Sequence, residues 1–404
     1  MLIKLAWRNI WRNKRRTFIT SSSIAFAVLF SGFMSAIQEG SWDHMINNIV
    51  SSYTGNIQIH KKGYWESPSI NELMEYEQLV NIDSLSENIE ISVPRIESFA
   101  LLSTGENTRG TMIVGIQPRL ENIFSQLADK VVTGNYLEEE DYGALLGDRL
   151  AELIDAKVGD TIVLISQGFR GVNAAGKYPV RGTVHFPTPQ QNRSMVILSL
   201  MVAQEFYGAE GMISALVLKT NSLDAESRVI SKALNSLDTS IYEIMSYKEL
   251  MPDLLKSKQI DASGNYIIFF VLYMIIAFGI FGTILMMLKE RQYEFGVLVS
   301  IGMEKLKLFA MVWWELIILA SIGILAGLVM AYSISYYFHV NPIVLTGNFA
   351  DAMEKFEFDP IMPASIKPSL FFVQAVIVYL LCAVIIIFPY FHLRKLEPTK
   401  AMRE

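Results

Sequence analysis

Four stretches without a single Asp, Glu, Lys or Arg, at residues 17–38, 267–288, 316–338 and 369–391, decide what this chain can fold into. Each reaches the roughly 20 residues that a hydrocarbon core of about 30 Å demands of a helix, since lipid offers the backbone no other hydrogen-bonding partner. Of the 404 residues 51% are hydrophobic and only 18% charged, where soluble domains carry roughly 25%. The spacing therefore predicts a membrane protein with four transmembrane helices. The first stretch is too long for a cleaved signal peptide and lacks a small-residue cleavage site, so it is read as a retained anchor.

Orientation follows from the basic residues. Lys4, Arg8, Arg12, Lys14, Arg15 and Arg16 precede the first stretch with no acid among them, and short basic clusters follow the second and fourth. Residues 39–264 instead hold 30 acids against 18 bases, and residues 339–368 four against two. Cytoplasmic loops carry the Lys/Arg excess, so both termini and residues 289–307 are expected in the cytoplasm. The formal net charge of -6 then resides outside, and the six N-terminal cations are a topology signal with no nucleic acid to meet. The one cysteine, Cys382, falls in the fourth stretch, so the outer region must be held by its own core.

Ile3, Trp7, Ile10 and Trp11 recur at helical spacing, with Lys4, Arg8, Arg12 and Arg15 on another face, which predicts an interfacial helix with its Trp rings at headgroup depth. Small residues repeat every fourth position in the first stretch (Ser23, Ala27, Ser31, Ser35) and in the third (Gly323, Gly327, Ala331), as helices in close contact within lipid require. In the outer region, 56–60, 91–102, 111–116, 158–165 and 215–220 read as strands, and 76–88, 147–154 and 222–237 as helices. Residues 167–193 read as a polar Gly/Pro-rich segment, and about 117–212 as an inserted subdomain.

Between the second and third stretches lies Lys289-Glu-Arg-Gln-Tyr-Glu-Phe-Gly-Val-Leu-Val-Ser-Ile-Gly302. A short amphipathic helix trapped between two spans suits a partner that pushes on it. The pattern Arg291-x-x-Glu294-Phe295-Gly296-x-Leu298-x-Ser300-Ile301-Gly302 resembles that of type VII ABC transporter permeases, the macrolide-exporter (MacB), lipoprotein-releasing (LolC and LolE) and FtsX type. Trp7-Arg-Asn-Ile-Trp-Arg-Asn-Lys-Arg-Arg-Thr17 and Pro398-Thr-Lys-Ala-Met-Arg403 extend the resemblance to both ends, and the lipoprotein-releasing permeases are the nearest group within it.

The resemblance implies four transmembrane α-helices plus a large α+β extracytoplasmic domain inserted between helices 1 and 2, in a bacterial inner membrane. Residues 1–40 then hold the interfacial helix and first span, 41–264 the periplasmic domain, and 265–404 the other spans with a coupling helix at 290–303. It also implies that Arg291, Glu294, Phe295, Gly296, Leu298, Ser300 and Gly302 couple the chain to a separate cytoplasmic ATPase subunit, in which ATP and magnesium reside. Phe295, Leu298 and Val299 would anchor the helix in a groove of that subunit, Gly302 would end it, and Arg291 and Glu294 would pair. Gly171-Val-Asn-Ala-Ala-Gly176-Lys177-Tyr178 has Walker A spacing but Tyr where the magnesium-binding hydroxyl belongs, so the chain is not read as an enzyme and no cofactor is assigned to it.

One chain supplies half of such an assembly, so a homodimer or a heterodimer with a related permease is implied. The task implied is release of lipoproteins from the membrane, with Phe26, Phe30, Phe33, Phe270 and Tyr273 offered to acyl chains and Arg170, Lys177 and Arg181 to a periplasmic carrier. The rival readings are a tripartite exporter of small molecules or peptides and a mechanotransmitting activator of a cell-wall hydrolase. Glu315, the one acid near membrane depth, is expected to pair with an Arg of the interfacial helix. Asn192-Arg-Ser194 spells a glycosylation sequon.

Overall fold

The computed structural model of the chain describes residues 2–12, 14–105, 107–186, 188–221, 225–347 and 361–394. The Pro398–Arg403 motif lies outside them. The chain divides into two compact units, Met1–His44 with Ser257–Leu345 and Ile361–Glu404, and Met45–Lys256 with Thr346–Pro360.

Among the described residues four helices are long and apolar enough to cross a membrane: Thr17–Thr54, Pro252–Glu290, Lys305–Val340 and Pro368–Phe391. The interfacial helix Leu2–Arg12 precedes them. Its inner face is Ala6 and Ile10, which are buried, whereas Ile3, Trp7 and Trp11 stay exposed, the two indoles meeting edge to face at 5.9 Å. Of the expected apolar row only Ile10 packs inward, and the rings are left for lipid, where indoles favour the headgroup layer.

The third span meets the first through glycine. A Cβ on Gly323 would stand 2.7 Å from the Ser21 carbonyl oxygen and 2.9 Å from Ile24 Cβ, and one on Gly327 2.6 Å from the Ala25 oxygen and 2.8 Å from Val28 Cβ. Backbone contact of this kind holds helices together where lipid removes the hydrophobic drive. On the first span the contact runs along Ser21, Ala25, Val28 and Gly32, and does not follow the predicted row Ser23, Ala27, Ser31 and Ser35. The reason is geometric: at 3.6 residues per turn a strict four-residue row drifts about 40° each step, so a straight neighbour touches positions spaced alternately by four and three. At the other end of the first span, Glu39 Oε1 lies 3.0 Å from Lys258 Nζ and 3.2 Å from Lys367 Nζ, and Asp43 Oδ2 2.7 Å from Lys367 Nζ. These pairs join three helices of the bundle at one level.

The outer unit is built on strands β1 (Ile57–Lys61), β2 (Met74–Glu75), β3 (Ile89–Ser103), β4 (Thr108–Ile116), β5 (Val131–Gly134), β6 (Ala144–Gly147), β7 (Thr161–Gln167), β8 (Asn173–Val184), β9 (Met195–Ser199), β10 (Met212–Ile213), β11 (Ala215–Thr220) and β12 (Tyr242–Ser246). Ten of them form one sheet in the order β12-β1-β11-β3-β4-β9-β6-β8-β5. The remaining strand, β7, pairs with both β3 and β8, so β3, β4, β9, β6, β8 and β7 close into a ring. The fifteen-residue β3 makes this possible by dividing one edge, pairing β11 through residues 89–95 and β7 through Leu101–Ser103. Closure leaves fewer unpaired edges, and the interior fills with Ile96, Leu102, Ile113, Leu146, Leu164 and Val196.

Two sequence expectations need correction. Residues 76–88 form two 3₁₀ turns, Tyr76–Leu79 and Ile82–Leu85, in place of a helix. The segment 167–193, read as polar and Gly/Pro-rich, contains all of β8 and all but the last residue of the helix Pro189–Ser194. In β8 the alternation is there, with Ala174, Tyr178 and Val180 buried between exposed Ala175, Lys177 and Arg181, but glycines and prolines mask it. Because Gly171–Tyr178 runs into a strand, it cannot form the loop and helix start that cradles phosphates. Asn192 is fully buried, its side chain exchanging two hydrogen bonds with the Phe186 backbone, so the sequon is closed to modification.

Candidate coupling site

Between the second and third spans the helix Gln292–Ser300 takes up the motif. Its end is closed by Gly302, whose φ of +103° only glycine adopts without strain. The Gly302 N–H donates to the Val299 oxygen at 3.0 Å and the Met303 N–H to the Leu298 oxygen at 3.1 Å, the two bonds of a Schellman motif. Ser300 turns its hydroxyl back onto the Gly296 carbonyl at 2.9 Å.

Arg291 sits at the N-terminal end of this helix and joins three elements. Its Nε donates to Glu294 Oε2 at 3.0 Å, its Nη1 to Glu315 Oε2 at 2.6 Å in the third span, and its guanidinium lies 5.0 Å over the Phe295 ring. Arg291 and Glu315 are both buried. On the far side Arg12 Nη2 donates to Glu294 Oε1 at 2.6 Å. The sequence Arg12, Glu294, Arg291, Glu315 thus alternates in charge from the interfacial helix through the loop helix into the third span. Partial burial works to raise the Glu294 carboxyl, but hydrogen bonding and attraction from Arg291, then Arg12, hold it below the usual carboxylate range.

In the described structure Glu315 pairs with Arg291, a partner not expected from the sequence. Arg12 lies at the exposed rim of its helix and takes the outer oxygen of Glu294. The expected partner-facing anchor is corrected. Phe295 is 1% exposed and packs with Leu308, Met311 and Val312 of the third span, and Leu298 and Val299 lean on the same cluster. What the loop presents outward is Tyr293, 59% exposed, and Ile301, 80% exposed. Burying Phe295 against its own bundle makes the helix a fixed projection of the spans; Gly296 is buried beside it. Sequence spacing carried no sign of the Arg291–Glu315 pair, since the two are 24 residues apart.

The five aromatics expected to meet acyl chains do not form one surface. Phe26 and Phe30 stack at 6.0 Å and line a cavity of about 660 Å³ with Leu272, Ile275 and Gly279 of the second span. Phe33 turns to Phe338 at 5.5 Å, Phe270 is exposed, and Tyr273 donates its hydroxyl to Gln374 Oε1 of the fourth span. In the outer unit Arg170 occupies the turn between β7 and β8, and Lys177 and Arg181 share the exposed face of β8. Arg181 is already bound to Asp141, Nε standing 2.9 and 3.0 Å from the two carboxylate oxygens.

Comparison with known proteins places these features. Residues 266–398 match the family described as FtsX-like permease C-terminal, and residues 17–233 the family described as MacB-like periplasmic core domain. An uncharacterised ABC transporter permease of Methanocaldococcus jannaschii is 22% identical over 344 residues, 81% of this chain and 82% of that protein. The lipoprotein-releasing system transmembrane protein LolC of Xylella fastidiosa is 25% identical over 247 residues, 59% of this chain and 59% of its own length. The crystal structure of the periplasmic region of MacB from Actinobacillus actinomycetemcomitans aligns over 52% of this chain and 97% of its own, at 17% identity and a TM-score of 0.37.

Proposed function

Because the chain belongs to the type VII ABC transporter permeases, which work with a cytoplasmic ATPase, we propose that it relays ATP-driven motion of that subunit outward to release lipoproteins from the membrane. The observation that carries the relay is the buried Arg291–Glu315 pair. It fixes the loop helix to the third span, so a push on Tyr293 and Ile301 moves the span rather than bending a loop. ATP and magnesium act in the ATPase, and the permease works as a homodimer or with a related permease in the inner membrane, its outer unit in the periplasm.

Lipoprotein is the substrate named for the LolC relatives, and the apolar cavity behind Phe26 and Phe30 is of a size and character to take an acyl chain. Arg170 and Lys177 are the exposed cations for a carrier; Arg181 is engaged by Asp141. The test is the chain with its ATPase in lipid nanodiscs. Triacylated lipoprotein is expected to raise ATP hydrolysis and to leave the membrane when a soluble carrier is added, and Arg170→Glu with Lys177→Glu to cut that transfer without touching hydrolysis. Hydrolysis indifferent to lipoprotein would instead support small-molecule export or mechanical activation of a hydrolase.

A further inference from the structure

The outer unit contains a cleft of about 360 Å³ whose chemistry the relay does not use. Tyr53, Tyr64, Trp65 and Phe99 supply aromatic surface, and Glu97 and Gln191 supply polar groups. Next to it the guanidinium of buried Arg95 is fully committed. Its Nε and Nη2 donate to Glu121 at 2.9 and 2.7 Å, and its Nη1 donates to the Tyr53 carbonyl oxygen at 2.6 Å. Glu97 stands 3.9 Å from that Nη1 and accepts the Tyr53 hydroxyl on Oε1 at 2.8 Å. One cation therefore serves two carboxylates, and the surplus acid is the one that lines the cleft. Among the described residues nothing donates to Glu97 Oε2, and Gln191 Oε1 is buried with no partner.

We propose that this cleft binds an organic ammonium ion, its N–H groups donating to Glu97 Oε2 and Gln191 Oε1 and its charge set against the surrounding rings. Cations are attracted to the faces of Trp and Tyr, and a donor that is itself charged makes the stronger hydrogen bond to a carboxylate. The volume matches that of small-ligand sites, which hold a few converging polar groups in a mainly apolar lining. Burial, opposed by the attraction of Arg95, holds the Glu97 carboxyl above its usual range, and a bound cation would draw it back. The cleft is lined wholly by residues of the unit Met45–Lys256 and the coupling helix belongs to the other unit, so this inference does not depend on the lipoprotein reading.

The test uses the full chain in nanodiscs, with empty nanodiscs as blank, and titrates phenethylammonium against its neutral isostere 2-phenylethanol by calorimetry. The ammonium is expected to bind at least about tenfold more tightly, the scale of one charge-assisted hydrogen bond. Glu97→Gln should erase the difference, and Trp65→Ala, at the exposed rim and away from the Arg95 network, should weaken the ammonium several-fold while leaving thermal unfolding in place. Equal affinity for the two ligands, or undiminished ammonium binding by either variant, would overturn the assignment.

Discussion

Arg291→Ala is expected to uncouple the permease from its ATPase and to destabilise the membrane unit. Removing one member of a buried ion pair costs roughly 3–5 kcal/mol, because the other charge keeps its desolvation penalty and loses its partner. Here the loss is double: Glu315 gives up a 2.6 Å contact in the third span and Glu294 a 3.0 Å contact in the loop. Arg291→Lys separates the two effects. A lysine keeps the charge, but its single ammonium cannot reproduce a fork whose Nε and Nη1 hold different carboxylates. It should recover part of the unfolding temperature while substrate-stimulated ATP hydrolysis stays low. Arg12→Ala makes the contrast, since an exposed pair contributes no more than about 1 kcal/mol. If Arg291→Ala keeps both the wild-type unfolding temperature and wild-type stimulation, the buried pair has no part in the relay.

In the outer unit the corresponding substitution is Arg95→Ala. The guanidinium is fully buried between the rings of Tyr53 and Phe124, 4.6 and 5.3 Å from their centroids, and it neutralises Glu121. Without it, Glu97 and Glu121 share a dry site with no cation, again at roughly 3–5 kcal/mol. For a domain of this size that is a fall of about 10 °C in Tm. Arg95→Met combined with Glu121→Leu should cost much less than Arg95→Ala alone, because a well-packed apolar pair removes both desolvation penalties. The deficit also has a sign in pH. Glu97 is already held above its usual range by burial, and losing Arg95 removes the attraction that opposes the rise. An acid whose folded value exceeds its unfolded one penalises the native state above that value and ceases to as protons bind. Arg95→Ala should therefore regain stability, relative to wild type, as the pH falls through the acid range. A deficit that grows on acidification would rule out the two-acid explanation.

The spans were legible because lipid permits no exceptions: a charge-free run of about 20 residues has few other uses. The loop helix was legible in its end, since a glycine after the last periodic residue is the commonest way to close a helix, and Gly302 takes that conformation. Its facing was not. Tyr293, Phe295 and Ile301 are all large and apolar, and which of them the bundle covers depends on Leu308 and Met311, in a helix that only folding brings alongside. Strands β6 and β9 escaped for a related reason. Ala144–Gly147 and Met195–Ser199 are buried on both faces, so they read as short apolar runs without the alternation that marks a strand with one wet side. The Arg95 cluster draws on residues 53, 95, 97 and 121, and a lone arginine in a strand gives no hint that it is buried.

The measurement that tests the relay most directly is site-specific photo-crosslinking from the loop helix in the intact complex. A probe at Tyr293 or Ile301 is expected to capture the cytoplasmic ATPase subunit, with a yield that changes on adding ATP, whereas one at Phe295 should capture only the third span of the same chain. Failure of both exposed positions to reach the ATPase, in a complex that still co-purifies and hydrolyses ATP, would contradict the assignment of this helix as the coupling element.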